Sequence, residues 1–301
     1  MKLNTIVLVI LLVGLSSCVK EVSQPIEPSV LKKLKLVPED PQIIIYYNHK
    51  RVKSLPNWSK FLQENLGSKL QQKTIFDSLG IDFNKDVEEI IVASEWNGNN
   101  TYILTVKDTS GLHNKFFDFR DKFFFEFIDS KIIFITNDVE RIKKIKLNEN
   151  DVNFFKNPNF RRIINSILYK EHFWIYTSNL NFLLNIMRNG IKDDAKLNSL
   201  LNSIKFINLS LRLDKDVSFS SHWECIDNAK AYLLRGILNG LISALALAYP
   251  DDLFIQELSM MDVYVENNGV ETVLKISRKK IEQLRKSVIN EKIKRMVEHG
   301  E

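Results

Sequence analysis

The chain of 301 residues carries 10 glycines and 7 prolines and is 45% apolar and 26% charged. That ordinary globular make-up excludes collagen-like and low-complexity chains. The net charge of +5, from 42 basic and 37 acidic residues, is too small and diffuse for a nucleic-acid-binding stripe. Two cysteines exclude a disulfide-rich scaffold and a cysteine-built zinc site.

At the start, Lys2 precedes an apolar run from Ile6 to Leu15, interrupted by Gly14 and followed by Ser16, Ser17 and Cys18. Such a run is a secretory signal, too short to span a bilayer. Leu15-Ser16-Ser17-Cys18 resembles the lipobox of bacterial lipoproteins. The resemblance implies a diacylglyceryl thioether on Cys18, cleavage before it, an acylated new amino terminus and a membrane partner reached through the acyl chains. Val19, rather than aspartate, follows the cysteine, which by the same resemblance favours the outer membrane facing the periplasm. Residues 1–17 are thus read as a lipoprotein signal peptide. Residues 18–41, with Pro25, Pro28, Pro38 and Pro41 around Lys32, Lys33 and Lys35, are read as a lipidated tether. Cys225 would then be the one remaining thiol, read as a small buried hydrophobe.

The rest divides into two segments, 42–149 and 150–301, with one order of elements: strand, helices, hairpin, helix, hairpin, helix. The first opens on Ile43-Ile44-Ile45-Tyr46-Tyr47 and the second on Phe173-Trp174-Ile175-Tyr176. Helices are expected over 56–79 and 179–203. Hairpins follow at 87–106 and 207–225; in the latter Ile207, Leu209, Leu211 and Leu213 alternate with polar residues, the period of a strand with one buried face. A short aromatic helix is expected over 111–123, and a longer one over 229–248 behind the N-cap Asp227. Hairpins 124–136 and 260–277 come next, the second turning at Asn268-Gly269. Helices 138–147 and 278–298 close the halves. The fold class is α+β: two related halves, each a mainly antiparallel sheet covered by helices on one face, with 150–170 as the joint.

Four stretches carry a wider resemblance. Leu36-Val37-Pro38-Glu39-Asp40-Pro41 leads into an apolar strand, and Leu79-Gly80-Ile81-Asp82 precedes Asp86-Val87 and another. Asn157-Pro158-Asn159-Phe160 precedes a helix and the Phe173 strand, while Trp223 to Ala231 leads into the long apolar helix. Together they resemble uncharacterised bacterial exported lipoproteins of a domain-of-unknown-function type with two related α+β halves. The resemblance implies a cell-envelope location and supplies no catalytic residues.

Chemistry-bearing patterns are sparse. Asp82, Asn84 and Asp86 have the opening spacing of a calcium loop, but Val87 and Ala93 stand where glycine and glutamate are needed, so the segment is read as a helix end and strand entry with Asp82 and Asn84 supporting the turn. No two of His49, His113, His172, His222 and His299 lie close enough for a helical metal pair. Ser221 and His222 are adjacent on a strand and face opposite sides, so they do not form a nucleophile–base pair. No metal, cofactor or catalytic residue is assigned, and a hydrolase is the least favoured reading. Seven phenylalanines between Phe116 and Phe127 exceed what a small layer needs to fill its core. Residues Gly236 to Ala248 are nearly apolar all round and are read as a core helix. A surface for an apolar ligand would draw on Phe116, Phe119, Phe123, Leu241 and Leu245. The C-terminal helix combines an apolar stripe with a basic face. The function expected is non-enzymatic binding or scaffolding with an envelope protein partner; the alternative is a periplasmic carrier of a lipid or other apolar ligand.

Overall fold

The computed structural model describes residues 23–55, 80–110, 112, 123–147, 153–180 and 194–284. The lipobox, the helix expected over 56–79, most of that over 111–123 and the chain beyond 284 lie outside the described residues.

Among the described residues, ten strands form one antiparallel sheet: β1 (Ile43–Asn48), β2 (Val87–Ser94), β3 (Asn100–Val106), β4 (Phe124–Phe127), β5 (Ile132–Thr136), β6 (Phe173–Thr177), β7 (Ile204–Leu213), β8 (Asp216–Cys225), β9 (Asp262–Glu266) and β10 (Gly269–Ser277). Their spatial order is β4-β5-β3-β2-β1-β6-β7-β8-β10-β9. Counted outward from the centre, β1-β2-β3-β5-β4 is matched by β6-β7-β8-β10-β9, so the two halves share one topology. The halves fuse where β1 pairs with β6, Ile45 opposite Ile175. Instead of two layers side by side, the duplication builds a single sheet.

The helices are α1 (Pro28–Leu34), α2 (His49–Lys53), α3 (Phe83–Asp86), α4 (Val139–Lys146), α5 (Phe160–Ser166), α6 (Asp194–Leu201), α7 (Asn228–Ala248) and α8 (Leu253–Leu258). They cover both faces rather than one. Successive strand side chains point to opposite sides, and both sides are apolar. On one face Ile44, Tyr46, Ile103, Phe134 and Trp174 pack with residues of α1, α4 and α5. On the other, Leu104, Ile133 and Ile135 form a cluster in the first half, and Ile207, Val263 and Val270 pack with Ala231 and Leu234 of α7 in the second.

Three expectations change. Residues 28–37 are not tether: Val30, Leu34 and Val37 are buried in the core, because their spacing of four and three puts them on one side of the chain. Lys33, counted there among the basic residues, is buried against Glu89 of β2. The joint is core as well, with Phe154 and Ile163 buried. Finally, the β9–β10 turn is Asn267-Asn268, with Asn267 at φ 53°, and Gly269 already belongs to β10, opposite Glu266. The carboxylates at 82–86 do support a turn: the Asp82 side chain accepts from the backbone N–H of Asn84 and Lys85 at the start of α3.

Candidate functional site

The second half carries an unusual surface. Helix α7 begins where the Asp227 carboxylate accepts the Lys230 N–H at 2.8 Å. Ala231 and Leu234 then plug into the sheet, and Ile237, Leu238 and Ile242 are partly buried against the same cluster. Arg235 Nε donates to the Val263 carbonyl of the edge strand β9 at 3.1 Å, which fastens the helix and blunts that edge. At the far end Asp252 caps α8 by accepting from the N–H of Phe254 and Ile255.

From Gly236 to Pro250 no residue is charged. At 100° per residue, Leu233, Gly236, Gly240, Ala244 and Leu247 fall within about 80° of one another, opposite Ala231, Leu234 and Leu238. This outward side has no cover. Leu233 is 51% exposed and Leu247 84%, against 1% for Leu234. A Cβ added at Gly236 or Gly240 would meet open space. Of the twelve exposed large hydrophobic residues among those described, nine lie between Ile226 and Met260, so the apolar exposure is concentrated on α7, α8 and their connection. Most monomers do not expose an apolar surface so concentrated without a use for it.

The expected core helix is therefore core on one side only. Leu245 lies on the partly buried side and Leu241 is exposed. Phe123 borders a hollow of 290 Å³ with Phe124, Phe125, Phe127 and Ile142, beside β4. Because β4 and β9 are the opposite edges of the sheet, Phe123 and the Leu241–Leu245 pair do not form one ligand surface. Phe116 and Phe119 lie outside the described residues, as do Leu15, Ser16, Ser17 and Cys18.

A second polar feature escaped the sequence. His222 Nδ1 lies 2.5 Å from Glu271 and its Nε2 3.1 Å from Glu224, which also takes Arg162 at 2.7 Å. Burial alone would push the imidazole down, but the two carboxylate hydrogen bonds overcome it and hold its pKa up at about 9. Both nitrogens of the imidazolium donate, so neither is available as a base. Gly269 makes room for the ring, since a Cβ there would lie 2.4 Å from His222 Cε1. Ser221 faces the other side, where its hydroxyl meets Thr272 at 2.6 Å and accepts from Trp223 Nε1 at 2.8 Å. Cys225 is buried, and burial pushes its thiol up to about 11, which leaves it unreactive. Among the described residues no group of three His, Cys, Asp or Glu side chains is placed to hold a metal ion. The signal for the His222 cluster was the shared face of His222 and Glu224, but Glu271 and Arg162 join only through strand register and the seating of α5.

A broad hollow beside α1 is lined by charges of both signs, matched in pairs that include Lys32–Asp129 at 3.1 Å and Lys50–Glu88 at 2.8 Å. Burial lowers the Lys33 amine to about 8, and Glu89 and Thr105 hold it. The Lys32 and Lys33 contacts fix α1 to the sheet and its β4–β5 turn, and Lys50 fixes α2 to β2.

No protein-family model and no curated protein matches the chain. Two solved structures are similar to it. Crystal form III of TP0453 has a TM-score of 0.44 and 11% identity, with 84% of this chain and 97% of that one covered; crystal form IV has a TM-score of 0.44 and 10% identity, with 83% and 96% covered. The strand order and pairing described above stand independently of that likeness.

Proposed function

We propose that the chain is a lipid-anchored protein of the bacterial cell envelope that acts by binding, not by catalysis, and that it binds through the outward side of α7 and α8. The observation that carries this reading is the charge-free, exposed side of α7, backed by a side of equal apolar character seated on the sheet. A fold that needed the helix only for its core would not retain leucine at positions 233, 241 and 247 on its exposed surface. The lipobox supports the anchored location. Each buried methylene contributes about 0.8 kcal/mol, and two or more chains hold a protein stably where one does not.

Fatty-acid labelling in intact cells tests the anchor. Wild-type protein is expected to take up label and to fractionate with membranes, and the Cys18→Ala chain to lose both. Unlabelled wild-type protein with its leader intact would contradict the reading. A carrier of apolar ligands draws less support, because the hollow beside Phe123 is smaller than most ligand sites and opens at the sheet edge.

A further inference from the structure

We infer that the occupant of the outward side of α7 and α8 is the lipid bilayer itself, the same membrane that would hold Cys18. This rests on the anchored reading above and adds to it a docking surface and an orientation.

The first argument is reach. The described chain begins at Ser23, whose hydroxyl donates to the Ile167 carbonyl at 2.7 Å, while Lys170 Nζ donates to the Gln24 carbonyl at 2.8 Å. Four residues lie between Cys18 and Ser23, and the five steps along the chain let the acylated end stand at most about 18 Å from that clamp. The body has no long tether and must sit against whatever surface holds the lipid.

The second argument is direction. Lys170 lies just before β6, which opens at Phe173 opposite Leu211. Following the pairing outward, Leu213 faces Val217 and Val217 faces Ile276, so the same end of the sheet carries the close of β10. Lys280, just past β10, is paired there with Glu257 of α8. The clamp on the N-terminal segment and the α8 corner thus belong to one end of the sheet. A membrane that holds Cys18 meets Tyr249 and Phe254, both more than half exposed, aromatic side chains suited to the headgroup boundary.

The third argument is depth. The charge-free stretch of the helix, Gly236 to Ala248, rises only about 20 Å, short of a hydrocarbon core of about 30 Å. Ala231, Leu234 and the Arg235–Val263 bond keep the helix on the sheet, and Asp251 and Asp252 close its far end. The helix therefore lies in the interface rather than across it. No cation lies on the outward arc, so apolar area drives docking, and a zwitterionic surface serves as well as an anionic one.

The test uses the exported full chain carrying Leu247→Cys, labelled with an environment-sensitive fluorophore and reconstituted in phosphatidylcholine vesicles. Cys225 does not compete, being buried with its thiol held up at about 11. A Lys143→Cys chain, labelled on exposed α4, is the control. The expected result is a blue shift and a several-fold rise in emission at 247 on vesicle addition, quenched by brominated lipid and unaffected by salt, with position 143 unchanged. If the chain floats with the vesicles but the 247 label stays open to aqueous iodide, the bilayer inference falls while the anchor survives. Shielding that grows with protein concentration before any vesicle is added would assign the surface to a second copy and overturn it as well. Mass analysis of Cys18 in the same sample separates the two readings: an unacylated chain refutes the anchor, and a Cys18→Ala, Leu247→Cys chain, which takes the label at 247 alone, then decides the docking surface.

Discussion

In the first half of the sheet the row Tyr46, Ile91, Ile103, Phe134 runs from β1 to β5. Stepping outward from the central Ile45–Ile175 pair, the equivalent row of the second half is Tyr176, Asn208, His222, Glu271. Both rows lie on the same face. One is hydrocarbon apart from the Tyr46 hydroxyl, which meets Glu89; the other holds an imidazolium between carboxylates, with Asn208 donating to the Ile163 carbonyl of α5. The opposite face differs too. The first half closes over Leu104 and Ile135, whereas the second carries a 21-residue helix with one side left in the open. One topology thus tolerates two chemistries, because strand pairing is backbone work and leaves the side chains free to diverge.

Breaking the polar row should produce the largest effect. His222→Gln leaves Glu224 and Glu271 facing each other with only Arg162 and the more distant Lys205 acting on Glu224, and is expected to lower stability by about 3–5 kcal/mol in denaturant unfolding near neutral pH. The pH dependence identifies the cause. A histidine whose folded pKa is raised to about 9 contributes stability that is complete below about 6.5 and is lost as pH rises through 9. Lys33 and Lys170, lowered to about 8, act in the opposite sense, since their unfavourable burial is relieved as pH rises from 8 towards 10.5. The difference between wild type and His222→Gln isolates the histidine, and it should shrink as pH rises to 9.

The order of elements was legible in the sequence because it rests on local signals: Ile207 to Leu213 alternate, and Asp227 caps a helix. The fusion into one sheet was not, since it depends on Ile45 finding Ile175. The helix at 236–248 could not be resolved by composition, because a segment apolar on all sides does not say which side finds a partner. The prolines around α1 concealed the spacing of Val30, Leu34 and Val37. Asn-Gly is a turn signal in any sequence, and nothing local reveals that Gly269 sits in β10, where its missing Cβ makes room for His222.

The two sides of α7 sharpen the contrast between its core and its open face. Leu234→Ala should cost about 3 kcal/mol, and Leu247→Ala, three and a half turns on, should stay within about 0.5 kcal/mol; thermal or denaturant unfolding of the pair measures the gap. Equal losses would mean that Leu247 is covered in solution. A smaller effect is expected at Gly269, which matches Ile132 in the first half. The first half accommodates a branched side chain there. In the second, Gly269→Ala drives a methyl into His222 and should cost about 1–2 kcal/mol, with much of that loss disappearing in a His222→Gln background.

The open side of α7 as a bilayer-resting surface is tested most directly by insertion of the acylated protein into a phosphatidylcholine monolayer. Wild type should enter at surface pressures that exclude the Leu233→Glu, Leu247→Glu double variant, although both carry the same acyl chains and unfold alike. Identical exclusion pressures would contradict the account and leave the acyl chains as the whole of the membrane contact.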